Sequence, residues 1–243
     1  TAFITFSDPN DFKPLISDQI KKSTGRELSL NGQLEWSFWP KIKIKTGPVI
    51  LENHADFEEK EFFAVDNIQI SVATLPLLTK KVQADKVIVE GLRLNLARNK
   101  EKISNWSDLT SGEESDGSKD SSFPLAALIV GGVDIQDGRI TYVDASESQT
   151  LTVANINVST GELDFNNPIH LDLSLDLLSD NPNLEAELDL KASVNYDLEN
   201  ETFEVSPLKI TSTLRGDTFP ETGSEIQLMT NLSLDLNEGT GSL

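Results

Sequence analysis

The stretch HLDLSLDLLSDNPNLEAELDLKASVNY, His170 to Tyr196, decides the fold. Leu171, Leu173, Leu175 and Leu177 alternate with Asp172, Ser174 and Asp176; after an Asn-Pro-Asn break, Leu188 and Leu190 alternate with Glu187, Asp189 and Lys191. A strand sends successive side chains to opposite faces, so this period places leucines on one face and carboxylates on the other. Two such runs across a turn signal read as neighbouring antiparallel strands. The same alternation recurs in IQISV (Ile68 to Val72), LRLNLA (Leu92 to Ala97) and IQLMTNLSLDL (Ile226 to Leu236). Many strands with almost no helices between them mean a mainly β fold, mostly antiparallel.

One helix precedes the strands, over 9–24. Asp8 is its expected N-cap, Pro9 its first residue, Lys21 and Lys22 its last turn, and Gly25 its terminator. Phe12, Leu15, Ile16 and Ile20 form an apolar stripe with Gln19, and the stripe is expected to pack on a sheet. TLPLLTKK, Thr74 to Lys81, is a candidate second short helix.

TSGEESDGSKDSS, Thr110 to Ser122, holds no apolar residue and reads as a disordered acidic and serine-rich linker. It divides the chain into a first module, 1–109, and a second, 123–243, expected to be truncated at its C-terminus. The modules echo each other. VDNIQISV (Val65 to Val72) resembles VANINVST (Val153 to Thr160), and LPLLTKKVQADKVIVEGLRL (Leu75 to Leu94) resembles FPLAALIVGGVDIQDGRI (Phe123 to Ile140). Gly91 and Gly138 are expected at turns between paired strands. Repeated strand units point to an elongated sheet built by stacking.

Twenty basic residues stand against forty acidic ones, a net charge of −20. That balance excludes a nucleic-acid binder, which needs a cationic face. No cysteine is present, so neither a disulfide nor a thiolate metal site is available. His54 and His170 lack metal-ligand spacing and read as surface residues. The carboxylates follow the strand period rather than a calcium loop, and no nucleophile elbow, Walker loop or dinucleotide fingerprint occurs. The residues point to binding or scaffolding, with no enzyme, cofactor or metal.

SFWPKIKIKTGPVILEN, Ser37 to Asn53, sets an aromatic corner beside a lysine stripe. Trp36, Trp39, Lys41, Lys43 and Lys45 are membrane-proximal candidates, because Trp favours the headgroup region and Lys attracts anionic lipid. Aromatics of this kind are more often core, with Pro40 making a corner and the lysines as the solvated face.

Taken in order, DPNDFKPLISDQIKKSTGRELSLNGQLEWSFWPKIKIKTGPVILEN and LPLLTKKVQADKVIVEGLRLNLARNKEKISNWSDL, with the pair Asn105–Trp106, resemble the periplasmic N-terminal region of the AsmA family. VDIQDGRITYVDASESQTLTVANINV resembles a later repeat of that family. The resemblance implies a Gram-negative periplasmic protein linked to outer-membrane biogenesis and anchored to the inner membrane by an upstream helix. It also implies kinship with TamB-like, bridge-like lipid-transfer proteins. Their strand modules form an elongated, curved β-groove.

On that basis the apolar strand faces become lipid-groove candidates: Ile68, Ile70, Val72, Val87, Val89, Leu92, Leu94, Leu96, Val133, Ile135, Ile140, Leu171, Leu173, Leu175, Leu188 and Leu190. The implied partners are phospholipid, the inner membrane and outer-membrane assembly proteins. A scaffold that binds such proteins by strand addition at a sheet edge is the alternative. Alternation alone does not distinguish an open apolar floor from a closed core.

Overall fold

The computed structural model describes residues 8–37, 41–73, 82–84, 86–110, 128–163, 167–197, 201–220, 222–235 and 240–242. The expected second helix, Trp39, the side chain of Lys41 and nearly all of the expected linker lie outside the described residues.

The fold is one large open sheet, mostly antiparallel, with a helix at its N-terminal end. Its strands are β1 (Leu28–Leu30), β2 (Glu35–Ser37), β3 (Lys41–Thr46), β4 (Val49–Glu52), β5 (Glu61–Val65), β6 (Asn67–Ala73), β7 (Val82–Ala84), β8 (Val87–Glu90) and β9 (Arg93–Arg98). After a short helical turn, Ser107–Thr110, come β10 (Leu128–Val130), β11 (Val133–Asp144), β12 (Gln149–Thr160), β13 (Ile169–Asp180), β14 (Asn183–Asp197), β15 (Thr202–Gly216), β16 (Ser224–Asp235) and β17 (Thr240–Ser242). From β12 to β17 each strand pairs with the one before it.

The shorter N-terminal strands are halves of longer ones. Thr46 faces Ile68 and Val49 faces Val65, so β3–β4 and β5–β6 share one register across their breaks at Gly47–Pro48 and Asp66. Ile68 faces Val89 and Phe63 faces Leu94, so β8 and β9 continue it across Gly91 and Leu92. The breaks line up from strand to strand. They extend into β11 and β12, whose pairing shifts around Gly138 and between Ala154 and Asn157.

Gly91 and Gly138 therefore sit inside strands and not at turns. β8 and β9 together run parallel to β11, with Val87 beside Val133 and Leu94 beside Ile140. The two similar stretches, 75–94 and 123–140, supply these parallel partners. Their likeness reflects a shared bend: Gly91 N–H donates to the Gln136 carbonyl at 2.9 Å, where φ of +64° suits glycine. These pairings, with the short parallel pair β7–β10, are the parallel exceptions to the antiparallel expectation.

The helix starts as a 3-10 turn (Pro9–Phe12) capped by Asp8, whose carboxylate accepts from Asn10 N–H at 2.9 Å, and continues as α1 (Lys13–Thr24). Gly25, at φ +73°, ends it by donating to Lys21 O. The apolar stripe packs on the sheet only at its margins: Phe12, Leu15 and Ile16 are exposed, although the Phe12 ring meets Trp36 of β2, and Ile20 is half-buried. Instead the helix lies along the outer edge of β1 and β2. The Ser17 hydroxyl donates to Leu28 O at 2.8 Å, Lys13 Nζ donates to Gly32 O, and Asn10 exchanges two hydrogen bonds with the Leu34 backbone.

A strand edge offers carbonyls and N–H groups instead of side chains, so the contacting side of the helix is polar. Such cover also protects an edge from pairing with other chains. Leu15 is 65% exposed, so Leu15→Lys is expected to change stability by less than about 0.5 kcal/mol in urea denaturation.

Candidate functional site: one apolar face of the sheet

Register threads the apolar residues together. One line crosses nine strands through Thr46, Ile68, Val89, Ile135, Val158, Leu173, Leu190, Ile210 and Leu228, each directly opposite the next. A second runs through Leu28, Leu51, Phe63, Leu94, Ile140, Val153, Leu177, Ala186 and Leu214. Directly opposed residues share a face. The remaining candidates join the same face: Val72 opposite Ile42, Ile70 opposite Ile44, Val87 beside Val133, Leu96 beside Tyr142, Leu171 opposite Ala192, and Leu175 opposite Leu188. Leu92 joins them two residues before Leu94, at the break.

All sixteen candidates thus lie on one side of one sheet. Fifteen are half-buried, and Ile70 is 37% exposed. None is fully buried. Several fully buried apolar residues on this face, Val49, Val65, Ile156 and Val205 among them, lie at or beside the strand breaks, whereas buried Ala186 lies in an unbroken part of the pairing.

Sequence reasoning missed Phe63, Val153, Val158, Ile210 and Leu228 as members of the face. Val153 and Val158 sit in a strand whose bulge between Ala154 and Asn157 interrupts the period. Ile210 alternates with Ser and Thr, so its contrast is weak.

The opposite face is mainly polar in the long strands, with apolar Ile50, Ala64 and Ile88 among its N-terminal residues. Asp172 pairs with Lys191 at 3.5 Å and Glu187 with Arg215 at 2.6 Å, both between neighbouring strands. Lys43 and Lys45 are exposed on this face, whereas Trp36, opposite Ile44, lies on the apolar one, its ring meeting Phe12 edge-on at 6.4 Å. The sheet therefore separates the tryptophan from the lysine stripe.

Several motif residues meet in a buried polar knot. The Asn105 side chain accepts from Ala97 N–H at 2.9 Å and donates to Asn95 O at 2.8 Å and to Asn53 Oδ1 at 3.1 Å. Arg26, with its side chain 2% exposed, stacks 4.4 Å over Phe62, donates to Asn105 O, and forms a two-point ion pair with Asp108 at 2.6 and 3.0 Å. Burial raises the Asp108 carboxyl pKa, but hydrogen bonds and charge from Arg26 outweigh it and hold the group below the ordinary carboxylate range. The knot joins the end of α1 to the segment after β9. It positions backbone rather than a reaction.

Among the described residues no group of three or more His, Asp or Glu converges as a metal site, and no helix is long and apolar enough to cross a membrane. The described residues thus form an open sheet with one apolar face.

The sequence model of the AsmA family matches residues 1–238, and the chain belongs to the AsmA family, a family linked to outer-membrane biogenesis and carrying no known catalytic activity. It is 29% identical over 103 residues to Protein AsmA of Escherichia coli strain K12, a match covering 42% of this chain and 16% of that protein. No solved structure matches.

Proposed function

We propose that the apolar face holds the acyl chains of phospholipid and carries them between the inner and outer membranes. The protein would work in the periplasm, tethered to the inner membrane by an upstream helix and in contact with outer-membrane assembly proteins. The observation that carries this reading is the single apolar face with none of its sixteen candidate residues fully buried. A closed core would bury leucines and isoleucines at such positions.

Twelve-residue strands such as β13 span about 40 Å, longer than the runs legible in sequence and well beyond the ~15 Å half-thickness of a bilayer core. Each methylene shielded there gains about 0.8 kcal/mol. A uniform apolar floor keeps that gain nearly constant from strand to strand, so a chain slides without a deep trap.

The test is photocrosslinking in cells with the membrane-anchored full-length protein. Photoreactive residues at Leu94, Leu171 and Leu173 are expected to capture phosphate label, whereas Asp172 and Ser174 on the opposite face are not. Leu173→Glu is expected to reduce capture at Leu171 at least about tenfold, since a carboxylate on the floor must be desolvated by the tail. Unchanged capture would place the tails elsewhere.

Strand addition at β16 is the second reading. β17 pairs only with Ser233, Leu234 and Asp235, and among the described residues the stretch from Ser224 to Leu232 has a strand neighbour on the β15 side alone. A proline at alternate positions of β16 that blocks partner capture without affecting lipid capture would favour it.

A further inference from the structure

We propose that Arg98 holds the phosphate of an anionic amphiphile whose acyl chain lies on Leu94 and Leu96; the proposal rests on the lipid reading of the apolar face. Arg98 ends β9 on that face, opposite Asp144. The other Lys and Arg side chains described in strands lie on the polar face, as Lys43, Lys45, Arg93, Arg139, Lys191, Lys209 and Arg215 do by register. A lone cation at the margin of an apolar floor is the arrangement an amphiphile with a phosphate head requires.

The guanidinium is also under-used. Among the described residues its side chain forms no hydrogen bond, and its Nε is buried without a partner there. Its one ion pair, to Asp144 Oδ2, is long at 3.6 Å. Asp144 is satisfied without it: Oδ1 accepts from the Ser146 N–H at 2.9 Å, the Ser146 hydroxyl at 2.6 Å and the Glu147 N–H at 3.2 Å, and Oδ2 accepts from the Tyr142 hydroxyl at 3.1 Å. The exposed part of the guanidinium is therefore left with only a long contact, and a phosphate oxygen is an acceptor that makes charge-assisted hydrogen bonds with it. The Arg98 side chain is 40% exposed, so an incoming anion can reach it.

Tyr142 shares the face one pleat inward, its ring 6.2 Å from that of Trp106. This pair supplies an aromatic wall where glycerol and headgroup would lie. The chain's charge of −20 repels free anions. Tail burial must therefore supply the affinity, which favours a phospholipid over free phosphate.

The test is calorimetric titration of the purified chain with two probes that share a tail, oleoyl lysophosphatidate and monooleoylglycerol. Arg98→Gln is expected to weaken lysophosphatidate about tenfold, the size of one charge-assisted contact, and to leave monooleoylglycerol unchanged. Arg93→Gln, the same charge change on the polar face, is expected to alter neither. Arg98→Lys, which keeps the charge but loses the fork, is expected to fall between.

Equal binding of lysophosphatidate by wild type and Arg98→Gln overturns the site while leaving the lipid reading intact, because monooleoylglycerol still binds. Binding of neither probe by the wild type overturns both. Displacement of lysophosphatidate by millimolar inorganic phosphate would assign Arg98 to a free anion and overturn the amphiphile.

Discussion

Gly47→Ala is expected to cost at least about 3 kcal/mol, far into the tail of single-substitution effects. Gly32 and Gly47 face each other where β1–β2 and β3–β4 break. A Cβ on Gly47 would lie 2.4 Å from the Gly32 Cα, and one on Gly32 would lie 2.1 Å from the Gly47 Cα. Both contacts are backbone on backbone, so no rotamer relieves them. The two strands must separate, and with them the carbonyl of Gly32 that receives Lys13 from α1.

Gly25→Ala provides the contrast. Its φ is +73° but nothing lies within 4 Å of an added Cβ, so only the left-handed backbone cost of about 1–2 kcal/mol applies. Urea denaturation of the two variants checks the order. A Gly47→Ala loss no larger than that of Gly25→Ala would mean that the glycine pair does not set the strand crossing.

Asp108→Ala is expected to cost about 3 kcal/mol, because it strands the Arg26 guanidinium, 2% exposed, with one carbonyl and the Phe62 face. Asp108 is itself 34% exposed, which keeps the figure at the lower end for a broken buried pair. The pH dependence has a definite sign. The folded carboxyl lies below its usual value of 3.8, so the ion pair contributes fully above that value and is lost as pH falls through the folded pKa. Thermal melts from neutral pH into the acid range should show the gap between wild type and Asp108→Ala closing only below about pH 4. A gap that stays constant would assign the effect to packing.

The face was legible in sequence because period two is a local property. Leu171, Leu173 and Leu175 declare their side of the strand without reference to any partner. Strand continuity was less legible. Gly91 and Gly138 carry the signal of a turn, and only pairing with neighbours shows that the chain continues in the same direction past each. The helix misled for a related reason. Its Phe12–Leu15–Ile16 stripe suggested a sheet beneath it, whereas apart from Phe12 against Trp36 the contact is with backbone carbonyls that select Asn10, Lys13 and Ser17. The polar knot was invisible, because Arg26, Asn53, Asn105 and Asp108 are scattered over the chain and meet only in the folded state. Arg98 was hidden among alternating residues, and its meaning depends on which face the other cations occupy.

The parallel seam between β8–β9 and β11 has a kinetic consequence. On either side of it each long strand pairs with its neighbour in sequence, so two ladders can zip from their own turns at small loop-closure cost. The seam joins residues 46 apart, Val87 to Val133 and Arg98 to Asp144, and the short parallel pair β7–β10 extends it with the same separation. Contacts of that separation reward the chain only after its entropy has been spent. The seam is therefore the slow step of assembly, and the two ladders meet as largely preformed halves.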